Sequence, residues 1–119
     1  MGKLIMKKDK MLSYILDSLP YPIHFVDTGH IIRFLNKTAK YHFNQVRGYG
    51  DLIGKSLFEH HNDSSKEKIV AAVEKLKNHS YKVYLSTGAN NHRIYLNPVR
   101  GEDGILAGYF ERFELNLRL

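Results

Sequence analysis

The apolar positions change period along the chain. Met11, Leu12, Ile15, Leu16 and Leu19 recur at helical spacing, with Leu4 and Ile5 one heptad earlier. This predicts an amphipathic helix over 4–19 whose apolar stripe covers a sheet or a partner's helix. Leu19-Pro20-Tyr21-Pro22 ends it, because a residue before proline is pushed out of the helical region. Two short strands follow, 23–27 and 30–35. The tight turn Asp27-Thr28-Gly29-His30 lies between them, with Asp27 placed to bond the turn and Gly29 to supply any positive φ. Asn36 stands where a strand stops and a helical pattern over Lys37 to Phe43 starts, a good N-cap position.

Arg47-Gly48-Tyr49-Gly50 breaks the chain, and 51–58 resumes in short helical turns. The clearest helix is 65–78. Ile69, Ala72, Val73 and Leu76 form its dry face, and Ser64 with Glu67 forms a capping-box pattern. Three strands close the chain, 81–87, 93–99 and 105–115, with hairpin turns at 88–91 and 101–104. Pro98 falls inside the fourth strand, so its missing amide must face a bulge or an unpaired side. The simplest assembly is α+β: an antiparallel five-stranded sheet with helices on one face and a pocket between them. The organisation is an N-terminal helix over 1–19, acting in dimerisation or as a cap, and a domain over 20–119.

Composition narrows the chemistry. The 119 residues suffice for one core. The chain has no cysteine, which excludes disulfides, thiolate metal sites and thiol catalysis. The net charge is +6, half of it in the first ten residues. This basic leader is either a solvated tail or a weak attractor of polyanions. No nucleic-acid recognition motif is present. Nothing resembles a membrane span or a secretory signal, and a cytoplasmic location is expected. No Ser sits in a nucleophile elbow, and Gly48-Tyr49-Gly50 lacks the strand and the Lys-Ser/Thr of a phosphate loop. An enzyme is therefore not expected.

Five segments in order resemble a PAS domain over about residues 12–116. They are Ile15–Pro20 leading into Pro22–Asp27, then Ile32–Ala39, Gly54–Phe58, Asp103-Gly104, and Gly108–Phe110. Gly54 to Ser65 is also similar to a bacterial and archaeal PAS subgroup that carries Gly-Arg, Cys-His-Pro and Ser. His60 stands at its Cys, His61 at its His, Asn62 at its Pro and Ser65 at its Ser. The resemblance implies a sensory module that binds a small molecule or cofactor, signals through a downstream protein and forms a homodimer. The alternatives are a haem-based gas or redox sensor and a pure interaction module with a filled core.

A ligand is expected between the sheet and the segment from Tyr41 to Ile69. The candidate contacts are His61, His60, Phe58, Ile69, Tyr41, Phe34, Tyr84 and Phe110. The cofactor is left open. His61 is the iron ligand if it is haem, with His60 as the other candidate. The bland reading makes one His a helix-end cap and the other solvated. His60-His61-x-Asp63 is a weaker candidate for a divalent metal. The aromatics Phe25, Phe34, Tyr41, Phe58, Tyr84, Tyr95 and Phe110 are expected to meet around one interior. His24, His30, His42, His79 and His92 read as surface groups. Glu111 and Glu114, with Arg112, read as either a charge-protected edge or a signalling surface.

Overall fold

The computed structural model describes residues 6–78, 81–87 and 92–115, the side chains of Val46, His60 and Leu115 excepted. Leu4, Ile5, His79 and the turn at 88–91 lie outside the described residues. The elements run α1 Lys8–Asp17, β1 His24–Asp27, β2 Ile32–Leu35, α2 Lys37–Tyr41, a π-helical turn His42–Val46 and a 3-10 turn Leu57–His60. Then come α3 Asp63–Asn78, β3 Val83–Thr87, β4 His92–Arg100 and β5 Leu106–Leu115. The strands form one five-stranded sheet in the order β2-β1-β5-β4-β3, and every neighbouring pair is antiparallel.

The inner face follows from alternation. Val26, Leu96 and Tyr109 point to one side and pack with Ile69, Ala72, Val73 and Leu76 of α3 in a single core. Burying one such aliphatic side chain contributes about 1.5–3 kcal/mol. A bulge in β2 sets what faces outward. Phe25 opposes Phe34 and Val26 opposes Ile32, which leaves Arg33 unpaired between them. The extra residue lets Ile32 join the core while Phe34 sits on the outer face beside Phe25 and Phe110. Pro98 lies on β4 past the Val83–Leu96 pair that ends the β3 ladder, so its missing amide costs no bond there.

Three local details depart from the sequence pattern. In the β1–β2 turn the left-handed residue is His30, with φ 65°, and not Gly29. Asp27 Oδ1 accepts from the amides of Gly29 and Ile31, which draws the positive φ one residue later. The α3 helix begins at Asp63, and its cap is Asn62, whose Oδ1 accepts from the Ser65 amide. An Asx cap two residues earlier takes precedence over the Ser64–Glu67 box. The helix after Asn36 does not stop at Phe43 but continues as a wider turn to Val46.

Candidate functional site

Asn36 fixes the wall nearest the N-terminus. Its Oδ1 accepts from the amides of Ala39 and Ile23, and its Nδ2 donates to the carbonyls of Leu16 and Tyr21. All four amide valences are used in a fully buried side chain, so α1, β1 and α2 are tied at one point. Asp17 adds a second tie by accepting from the Lys37 amide. Downstream of that anchor, the π-helical turn brings His42 and Phe43 inward. A π turn offsets side chains from ordinary helical phase, and such turns recur at functional sites.

The space enclosed by this turn, the 3-10 segment and the inner sheet face is a cavity of about 350 Å³. Its sheet side carries His24 and Glu111, and its helical side carries His42, Phe43, Tyr49 and His61. A smaller cavity of about 150 Å³ continues from it, bounded by His61, Ile69 and Glu111.

The polar groups of this space are unevenly satisfied. His24 is 7% exposed, and its Nδ1 has no hydrogen-bond partner. Burial lowers its pKa below 6.5, against the opposing pull of Glu111. His61 Nδ1 lies 2.7 Å from the Leu57 carbonyl. A carbonyl only accepts, so Nδ1 carries the proton and Nε2 keeps its lone pair in the neutral ring. The Glu111 carboxylate forms no hydrogen bond or ion pair among the described residues. Phe43 meets the His24 ring edge-on at 5.9 Å and stacks on Tyr49 at 6.5 Å. The Arg47 guanidinium lies 5.2 Å above the Tyr49 ring and bonds its hydroxyl.

The structure brings together only part of the set chosen from sequence. His61 lines both cavities and Ile69 the smaller one. Phe58 instead packs on His30 at 4.7 Å and under the Lys66 ammonium. Tyr41 is exposed, and Tyr84 is exposed beside Tyr95. Phe34 and Phe110 line a different, apolar groove of about 420 Å³ on the outer sheet face, with Leu16 and Leu19. The His60 side chain lies outside the described residues. The aromatics therefore divide between two faces instead of meeting in one interior, because strand alternation and the Arg33 bulge assign them. Among the described residues, no group of three or more His, Asp or Glu is placed to hold a metal ion.

Sequence reasoning missed His24, His42 and Glu111. The sequence pattern makes His24 a surface group, but the phase it shares with Val26 carries it inward. His30 is half-buried, with Nδ1 2.8 Å from the Tyr109 hydroxyl. The signal available in the sequence was the period-2 phase of β1 and β5, which puts His24 with Val26 and Glu111 with Tyr109.

A family model described as PAS domain matches residues 12–114. Among solved structures, the chain is similar to a C-terminal domain from Streptococcus mutans. The TM-score is 0.65 at 18% identity, covering 95% of this chain and 91% of that one. A PAS domain from Colwellia psychrerythraea gives 0.62 at 16% identity, covering 93% and 100%. A sensory box sensor histidine kinase from Vibrio cholerae gives 0.60 at 17% identity, covering 89% of each chain. At such identities the likeness speaks for the fold. No curated protein sequence matches the chain.

Proposed function

The chain belongs to the PAS domain family, and from that premise we propose that it is a sensory module holding a small molecule beneath its sheet. The observation that carries this reading is the cavity of about 350 Å³ with a buried, unpartnered imidazole in its wall. Its size falls at the small end of ligand pockets, roughly 300–1,000 Å³. The wall opposite the sheet is a π turn and a 3-10 turn, which have fewer regular backbone bonds than a long helix. Ligand contacts there would bias the position of that segment. Asn36 joins the same segment to α1, so the shift has a path to the N-terminus.

The output is contact with protein. Met11, Leu12 and Ile15 of α1 are exposed, and Leu16 lines the outer apolar groove beside them. This surface supports α1 as a dimerisation element ahead of a domain over 20–119, with a downstream signalling protein as the further partner. A second reading, haem, is favoured by one observation. The His61 hydrogen bond to Leu57 leaves the Nε2 lone pair free to ligate, which is how metal-binding histidines are oriented.

Native mass spectrometry and an absorption spectrum of freshly purified protein test the proposal. A co-purified small mass without a Soret band supports the first reading, and a Soret band lost in His61→Ala supports haem. Ile69→Trp should fill the smaller cavity that continues from the main one and weaken ligand retention with little loss of stability. A steep fall in melting temperature in that variant, with no ligand ever retained, would mean a packed core and a protein that works by contact alone. Removal of residues 1–18 should lower the mass seen by light scattering, and an unchanged mass removes α1 from the dimer.

A further inference from the structure

We propose that the cavity selects a flat nitrogen heterocycle rich in N–H donors, uncharged or cationic, and rejects carboxylates of the same size. The proposal rests on the cavity reading above and names the ligand class for it. The Phe25–Phe110 pair is in register, so the next step of the ladder sets His24 beside Glu111 on the inner face. Glu111 borders both cavities and is half-buried, and its carboxylate forms no hydrogen bond or ion pair among the described residues. An ionised carboxylate only accepts hydrogen bonds, and partial burial without a donor is costly.

The facing wall repeats this demand. His61 spends its Nδ1 proton on Leu57, so neutral His61 offers only an acceptor. Two acceptors on opposite walls are complemented by a ligand that donates at both ends. A carboxylate would meet lone pairs there and a like charge at Glu111. Burial keeps His24 from taking up the proton that would offset that charge. Two cations border the space: Arg47 lines the larger cavity but is held over Tyr49 and bonds its hydroxyl, and Lys68 lines the smaller one from an exposed position. Phe43, stacked on Tyr49 and edge-on to His24, gives the flat aromatic wall that a planar ring fits.

Isothermal titration of the full chain with 2-aminobenzimidazole and with benzoate tests this. 2-Aminobenzimidazole should bind, and benzoate should bind at least tenfold more weakly. Glu111→Gln keeps the shape but replaces one acceptor oxygen with a donor, and it should weaken 2-aminobenzimidazole at least tenfold. Should Glu111→Gln fail to fold, His61→Phe removes the second acceptor and should give the same loss. Benzoate binding as well as 2-aminobenzimidazole, or an unchanged affinity in the folded variant, overturns the ligand class while leaving a ligand cavity standing. Binding of neither probe overturns the class, and if no small mass co-purifies the cavity reading falls with it.

Discussion

Nδ1 of His30 lies 2.8 Å from the hydroxyl of Tyr109, seventy-nine residues along the chain. The contact joins the β1–β2 turn to the centre of the sheet. Tyr109 is 1% exposed, and burial raises its pKa far above 10, so its hydroxyl keeps its proton. His30 holds a left-handed φ of 65°, a conformation that costs a residue with a Cβ about 1–2 kcal/mol. The bond to Tyr109 and the tilted ring contact with Phe58 offset that strain.

Two substitutions separate these contributions. His30→Ala keeps the strain and loses both contacts, whereas His30→Gly loses the contacts and relieves the strain. Urea unfolding should place His30→Gly about 1 kcal/mol above His30→Ala in stability. Equal stabilities would show that the turn relaxes to a negative φ once the imidazole is gone.

Asn36 is more than a helix cap. A simple cap lost to Ala costs about 1 kcal/mol. Here Asn36→Ala also strands the buried Ile23 amide and two carbonyls, so the expected cost is about 3 kcal/mol. Asn36→Asp keeps both acceptor bonds but turns an oxygen toward the Leu16 and Tyr21 carbonyls. It should be destabilised too, which a pure capping role does not predict. Denaturant midpoints of the two variants decide the matter.

Gly108 is required by proximity. A Cβ there would strike the Val26 carbonyl oxygen and come within 2.6 Å of the Phe25 ring. Backbone cannot yield as a flexible side chain does, and Gly108 pairs with Asp27 and Val99 at the sheet centre. Gly108→Ala should lower stability by at least about 2 kcal/mol, or abolish soluble expression. A melting temperature within a degree or two of the parent would contradict this packing.

Acid should destabilise the fold through His24. Burial lowers its folded pKa below the 6.5 of an open chain. Above 6.5 both states are neutral there and the full stability is present. Below 6.5 the unfolded chain takes up the proton first, so stability falls as pH drops toward the folded pKa. His30, lowered by its own burial, acts in the same direction. Melting curves from pH 7.5 to 5 should show a declining midpoint, and His24→Phe should flatten part of the decline. An identical slope in that variant would assign the effect elsewhere.

The order of the elements was legible in the sequence because it depends on local chemistry. Apolar period distinguishes the Ile69–Leu76 face of α3 from the alternating strands, Pro20 ends the first helix, and Asn36 caps the next whatever lies beyond. The antiparallel sheet follows from short turns such as 27–30 and 101–104, which leave strands no other way to pair. The wall of the site was decided only by the tertiary structure. One unpaired residue, Arg33, reverses the phase of β2 and sends Phe34 outward, and the π turn carries His42 and Phe43 into the cavity. Whether His24 is buried and Glu111 unpaired depends on which side chains arrive opposite them from distant parts of the chain. A one-dimensional pattern records the period of a strand, but the partners that satisfy or strand its polar groups are fixed when the sheet closes against its helices.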